Sequence, residues 1–144
     1  MSTQNYANHP KFVTLYHKVL IPILVLTLIG AVVNLYESLG DHERLYSASL
    51  IVVLNICVLM LSLLARTFPL KAQDRAIRAE ENLRHFAATG KLLDPRLSVK
   101  QVVALRFASD SEFIALAAGA AKDNLTPKQI KRAIKQWRAD EYRV

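Results

Sequence analysis

Two long apolar runs without a charged residue constrain this chain more than any other feature of its sequence. They cover residues 19–36 and 45–65, which are 18 and 21 residues long. At about 1.5 Å per residue in an α-helix they reach roughly 27 and 31 Å, close to the ~30 Å hydrocarbon thickness of a bilayer. A Lys, Arg or Asp at the centre of either run would oppose insertion by about 3 kcal/mol, and neither run contains one. The sequence therefore predicts two membrane-spanning helices rather than the buried hairpin of a soluble protein.

The distribution of charge predicts how these helices are oriented. Residues 1–18 carry a formal charge of +2, residues 37–44 carry −2 and residues 66–144 carry +7. Lys and Arg close to a span stay on the cytoplasmic side of a membrane. We therefore expect both termini to be cytoplasmic and the acidic bend between the runs to face outward.

The predicted fold is an all-α membrane protein with three parts. Residues 1–18 form a cytoplasmic or interfacial segment, and residues 19–66 form a transmembrane hairpin with its outer bend at 37–44. Residues 67–144 form a basic cytoplasmic module, expected to be a small bundle of about four helices.

Two details refine the first of these parts. Phe12 and Tyr16 fall on one side at helical spacing, which predicts an interfacial turn before the first span. Pro22 lacks a backbone N–H, so we expect a kink, or a bend from the interface into the span, over residues 18–22.

Four polar side chains within or beside the spans are candidate helix contacts. In an antiparallel hairpin centred on residues 40–41, residues whose numbers sum to about 81 lie at equal depth, so Thr27 is level with residues 54–55 and Asn34 is level with Ser47. Two readings are open: a polar pathway through the membrane, or hydrogen bonds between helices, either within the hairpin or between copies. Because neither span has an Asp, Glu, His, Lys or Arg side chain, interhelical hydrogen bonding is favoured. The candidate residues are Thr27, Asn34, Ser47 and Asn55.

A third helix is predicted from Pro69 to Thr89, with Gly90 as its left-handed end. Five of its apolar residues recur at a spacing of 4-3-4-3, which places them on one side of the helix. We call this set the seam, and we expect it to contact either the C-terminal helices or another protein. The seam consists of Ala72, Ala76, Ala79, Leu83 and Phe86.

Three capping-box patterns follow the third helix, and each is typical of a helix N-terminus. They predict three short helices that end near residues 108, 121 and 142. The three patterns are Ser98–Gln101, Ser109–Glu112 and Thr126–Gln129.

Basic residues near the second span and on the last predicted helix form a candidate surface for anionic partners. Three interpretations compete: a solvated exterior of the bundle, a surface beside anionic lipid headgroups, and a nucleic-acid contact. A tether to the membrane favours the first two together and makes nucleic acid the least favoured partner. The residues are Arg66, Lys71, Arg75, Lys128, Lys131, Arg132, Lys135 and Arg138.

Patterns that would indicate catalysis are not found in this sequence. The glycines are isolated, the four histidines do not cluster, and no serine or cysteine lies in a nucleophile motif. Glu81 and His85 could form half of a metal site at helical spacing, but no second half is visible. We therefore expect no enzyme activity, no metal and no cofactor.

Four segments of the chain have a characteristic sequence: residues 71–86, 89–97, 104–110 and 137–140. Together they resemble an uncharacterised family of small bacterial proteins with two membrane spans. This resemblance implies a location in the bacterial inner (plasma) membrane, and it implies no activity and no functional residues.

The function expected from these features is that of a membrane anchor, an adaptor or an accessory subunit. Its cytoplasmic module would dock onto other copies of the chain or onto a larger membrane complex. Two alternatives remain open: an oligomeric pore or channel formed by the hairpins, and a membrane-tethered nucleic-acid binder.

Overall fold

The computed structural model describes residues 4–8 and 13–140, and this part of the chain is helical without a β-strand. The all-helical prediction is confirmed to that extent. The chain divides into two compact units, one over residues 12–69 and one over residues 1–11 and 70–144. The elements in order are a π-helical segment Leu15–Leu20, α1 Ile21–Glu37, α2 His42–Thr89, α3 Val99–Leu105, α4 Asp110–Lys122 and α5 Pro127–Ala133.

The first unit begins with an irregular helical segment at the place where a bend is predicted. Leu15–Leu20 is π-helical, and Pro22 then lies in the first turn of α1. Proline has no backbone N–H, so one hydrogen bond of the regular helix is missing at this point. The wider π-helical segment lies directly before it. Residues 1–3 and 9–12, including Phe12 of the predicted interfacial turn, lie outside the described residues.

A short turn joins α1 to α2. Ser38 is buried, and its hydroxyl donates to the carbonyl of Asn34 at 2.7 Å. Gly40 has a φ of +102°, a left-handed backbone conformation that residues other than glycine rarely adopt. Asp41 accepts the backbone N–H of Arg44 at 3.2 Å and so caps the start of α2. The turn is therefore shorter than the predicted bend of residues 37–44.

The prediction that a separate third helix begins at Pro69 is wrong. α2 runs without interruption for 48 residues and contains Pro69 in its interior. The proline removes one backbone donor, and the residues on both sides remain helical in spite of that loss. The boundary between the two compact units nevertheless falls at this proline.

The end of α2 is the predicted one. The helix stops at Thr89, and Gly90 follows with a φ of +72°. The N–H of Gly90 donates to the carbonyl of Phe86 at 2.7 Å, which satisfies one of the last carbonyls of the helix.

Helices α3, α4 and α5 surround the hydrophobic core of the second unit. Two of the three predicted capping boxes are formed with both reciprocal bonds, Ser98–Gln101 on α3 and Thr126–Gln129 on α5. The largest fully buried side chains are Phe107, Phe113, Leu105, Ile130 and Val102.

The third predicted box, Ser109–Glu112, is not formed. Ser109 precedes α4 as expected, but its side chain caps no backbone N–H. The Glu112 carboxylate instead accepts the backbone N–H groups of Lys135 at 3.1 Å and Gln136 at 3.0 Å. A tertiary contact therefore takes the place of the local one.

The same contact explains why the last helix is shorter than predicted. α5 ends at Ala133 instead of continuing to residue 142, and residues 141–144 lie outside the described part of the chain. The following segment is extended: Ser109 donates to the carbonyl of Gln136 at 3.0 Å, and Arg138 donates to that of Phe107 at 2.8 Å. Trp137 packs on Phe107 with ring centroids 5.2 Å apart.

Candidate docking surface

All five residues of the seam are exposed along α2. Leu83 is 68% exposed and Phe86 is 50% exposed, values far above those of the core residues. The sequence left two partners open for the seam, the C-terminal helices or another protein. Among the described residues, the C-terminal helices do not cover it.

The opposite face of the same helix packs inside the second unit. Ile77 and Glu81 are only 6% and 5% exposed. At about 100° per residue, this buried face lies roughly 160° around the helix from the centre of the seam. The helix therefore uses one face within its own chain and leaves the seam on the other.

Arg84 links this buried face to the segment that leads into α4. Its guanidinium donates to Glu81 at 2.9 Å, to the carbonyl of Ala108 at 2.9 Å and to Asp110 at 2.8 Å. The guanidinium carbon also lies 4.2 Å from the centre of the Phe113 ring. Hydrogen bonds and charge from Arg84 lower the pKa of the exposed Asp110 carboxyl.

Sequence reasoning missed this role of Arg84. Glu80 lies four residues before Arg84, a spacing that allows an ion pair on one helix, but the pairs formed are with Glu81 and Asp110. Asp110 is distant in sequence, so helical spacing gave no signal for it. Glu80 is left exposed beside the seam.

The residues suspected of forming half a metal site have other partners. Glu81 bonds to Arg84, while Nδ1 of His85 lies 2.7 Å from the carbonyl oxygen of Lys91. Within residues 4–8 and 13–140, no group of three metal-binding side chains is found. His85 therefore links the end of α2 to the loop after it, and Glu81 is paired with Arg84 on the same helix.

The polar residues of the first unit are occupied mainly within their own helices. Thr27 donates to the carbonyl of Leu24 at 3.0 Å, and Asn55 donates to that of Ile51 at 2.9 Å. The structure does not join Thr27 to Asn55. Ser47 likewise donates to the Arg44 carbonyl, and the backbone carbonyl of Asn34 accepts the bond from Ser38.

The predicted basic surface is divided among several elements. Lys128, Lys131 and Arg132 lie on α5, whereas Lys135 and Arg138 lie in the extended segment after it. Lys131 and Arg132 are placed 5.5 Å from the centres of the Phe107 and Tyr6 rings. On α2, Arg66 is half-buried, while Lys71 and Arg75 are exposed.

A model of a protein family, described as a family of unknown function (DUF6526), matches residues 1–144. The chain belongs to the DUF6526 family. No curated protein and no solved structure matches it. The resemblance to an uncharacterised family is thereby confirmed over the whole chain. A family of unknown function has no activity to transfer, so the role of this DUF6526 protein is inferred from its own geometry.

In the part of the DUF6526 chain that the structure describes, two helices are long and apolar enough to cross a membrane. The helical stretches are Leu15–Glu37, with 23 residues, and His42–Thr89, with 48 residues. Only 6% and 11% of their most apolar windows are buried. Leu26, near the centre of the first predicted span, is 67% exposed. The two apolar stretches are therefore mostly exposed and do not form a buried core of the chain.

An N-terminal contact of the DUF6526 chain was not foreseen from the sequence. The Gln4 side chain accepts the backbone N–H of Asp140 at 2.8 Å, and Tyr6 lies under Arg132. Asp140 is also 3.0 Å from Arg106. The described N-terminal residues thus pack on the end of the C-terminal module, in the same compact unit. Only the aromatic ring of Tyr6 in an otherwise polar segment could have hinted at this.

Proposed function

We propose that this protein is a non-enzymatic anchor or adaptor of the bacterial inner membrane. α1 and the apolar first part of α2 would cross the bilayer as a hairpin, and residues 70–140 would form the cytoplasmic docking module. The exposure of large apolar side chains along both helices supports this, because such surface is unfavourable in water and favourable in lipid.

Two contacts support a hairpin with both termini on one side. The hydroxyl of Tyr16 donates to the carbonyl of Ser62 at 3.1 Å, as expected when the start of one helix lies beside the far end of the other span. The bond between Gln4 and Asp140 joins residues that precede and follow the two apolar runs, and such residues lie on one side of a bilayer when the chain crosses it twice. The basic residues near the spans favour the cytoplasm as that side.

The exposed seam is the observation that carries the docking role. Leu83 and Phe86 are large and apolar, they lie in the module rather than in the apolar runs, and the described chain does not cover them. Burying them against a partner would be favourable by about 25 cal/mol for each Å² of apolar surface removed from water. The module therefore offers a site for a second copy or for a subunit of a larger membrane complex.

Gentle detergent extraction followed by native mass measurement tests this role. The unmodified chain is expected to travel in an assembly heavier than one copy, and Leu83→Ser with Phe86→Ser is expected to reduce its mass. Leu92→Ser is the matched control, since Leu92 is 66% exposed but lies outside α2 and the seam. An unchanged mass in the seam variant would refute docking through this surface.

A further inference from the structure

We propose that the seam binds the seam of a second copy of this chain in a parallel, in-register helix pair. This inference rests on the proposed docking role and names the partner. Its first basis is the spacing: Ala76 and Leu83 take the a positions of a heptad, and Ala72, Ala79 and Phe86 take the d positions. Each residue of the seam would meet its own counterpart.

The charges beside the seam specify the second copy and its direction. Arg75 occupies the g position and Glu80 the e position that faces it in a parallel pair. Two-fold symmetry would form this ion pair twice. In an antiparallel pair, e positions face e and g positions face g, so Arg75 would not meet Glu80.

Arg75 and Glu80 are available for such a contact. Both are exposed, and neither forms an ion pair with another residue among those described. They cannot pair with each other inside one helix, because five residues at about 100° each place them roughly 140° apart. They flank the seam on its two sides.

Anchoring in one bilayer compensates for the small area of an alanine-rich interface. Three of the five residues of the seam are alanines, which allow close approach of two helices but bury little surface each. Copies held in the same membrane share one orientation and have a high effective concentration for helix pairing. A shared orientation also makes equivalent helices run parallel.

Disulfide trapping in proteoliposomes that contain only the purified full chain tests the pairing. The background is Cys57→Ser, which removes the single cysteine. Ala79→Cys lies in the centre of the seam, and Ala88→Cys is the matched control, an exposed alanine on the opposite side of the same helix. Mild oxidation is expected to give disulfide dimers with Ala79→Cys and few with Ala88→Cys. Equal trapping at the two positions would overturn the proposal.

Charge reversal tests the direction of the pair. Arg75→Glu and Glu80→Arg, each in the Ala79→Cys background, are expected to weaken the dimer about tenfold, through two lost attractions and two new repulsions. The double variant is expected to restore trapping. Because the two side chains cannot meet within one helix, restoration requires a second copy, and its absence would contradict the parallel register.

The two proposals can fail separately. If Ala79→Cys is not trapped, but the Leu83→Ser, Phe86→Ser variant still loses mass in the native measurement, the seam docks on a different protein and the second-copy inference is wrong. If neither readout changes, both the docking role and the helix pair are wrong.

Discussion

The two compact units of this chain arrange their apolar residues in opposite ways. In the first unit, large side chains such as Leu26 project outward, and few residues are buried. In the second unit, Phe107 and Phe113 are almost fully enclosed, and the helix ends carry capping boxes. Both units are helical, so the difference lies in whether the apolar side chains of the helices face a core or remain exposed.

This contrast supports the proposal that the two units have different surroundings. A water-soluble domain buries its apolar side chains, as the second unit does, because water penalises their exposure. Helices that are apolar all round are stable where the surroundings are themselves apolar. The seam is an intermediate case, an apolar stripe on a helix whose opposite face is already packed, and such a stripe is typical of a protein contact.

The largest expected effect contrasts a core residue with a residue of the seam. Phe113→Ala should lower the free energy of unfolding by about 3–5 kcal/mol, because it leaves a cavity in a closed core. Phe86→Ala should change monomer stability far less, since half of that side chain is already exposed. Urea unfolding of the full chain in detergent, followed by fluorescence of the single tryptophan Trp137, measures both. Equal losses would mean that the seam is part of the core.

The next effect contrasts two leucines of nearly equal exposure in the two units. Leu26→Arg should oppose membrane insertion by about 3 kcal/mol, because a charge would lie at the centre of the proposed span. Leu83→Arg should leave insertion unchanged, since it lies in the module. Carbonate extraction, with thiol labelling of Leu39→Cys in a Cys57→Ser background, measures insertion. If Leu26→Arg inserted normally, lipid would not be the surroundings of α1.

A smaller effect contrasts two arginines of α2. Arg84→Met should destabilise the second unit by about 2 kcal/mol, because the buried Glu81 carboxylate would lose its cation. Arg75→Met should have almost no effect on unfolding of the monomer, since that side chain is exposed. Adding Glu81→Gln to Arg84→Met should recover part of the loss. The same urea titration reports all three variants.

The smallest effect concerns acid. Arg96 lowers the pKa of Asp94 to about 2 through its side-chain and backbone hydrogen bonds. Because this folded-state pKa lies below the ordinary value of about 3.9, the pair stabilises the fold above about pH 4. That stabilisation is lost as the pH falls toward 2. NMR titration should give Asp94 a pKa of about 2 and a higher one in Arg96→Gln, still below the ordinary value because the backbone N–H of residue 96 remains a donor. An unshifted Asp94 in the unmodified chain would show that the pair does not form in solution.

Elements with a local cause were predicted correctly. Gly90 ends α2 because a left-handed residue is needed there, and Ser98 and Thr126 cap their helices through residues three positions away. The composition of the seam was also visible in the sequence. Its exposure was not, because spacing shows that residues share a face and does not show what that face contacts.

Elements with a distant cause were predicted incorrectly. Glu112 fits a local cap, but it binds the backbone of the segment after α5, whose Trp137 packs on Phe107. Pro69 resembles a helix start, yet α2 continues through it. Arg84 had an acceptable local partner in Glu80, and the partners it takes instead are Glu81 and Asp110.

The sequence by itself determined the helical character, the two apolar runs and most helix ends, because these depend on neighbours within a few residues. Only the tertiary structure decided which face of α2 is buried, where α5 ends and what the N-terminal residues contact. Those outcomes depend on hydrogen bonds and packing between residues far apart in the chain, whose pairing local pattern does not encode.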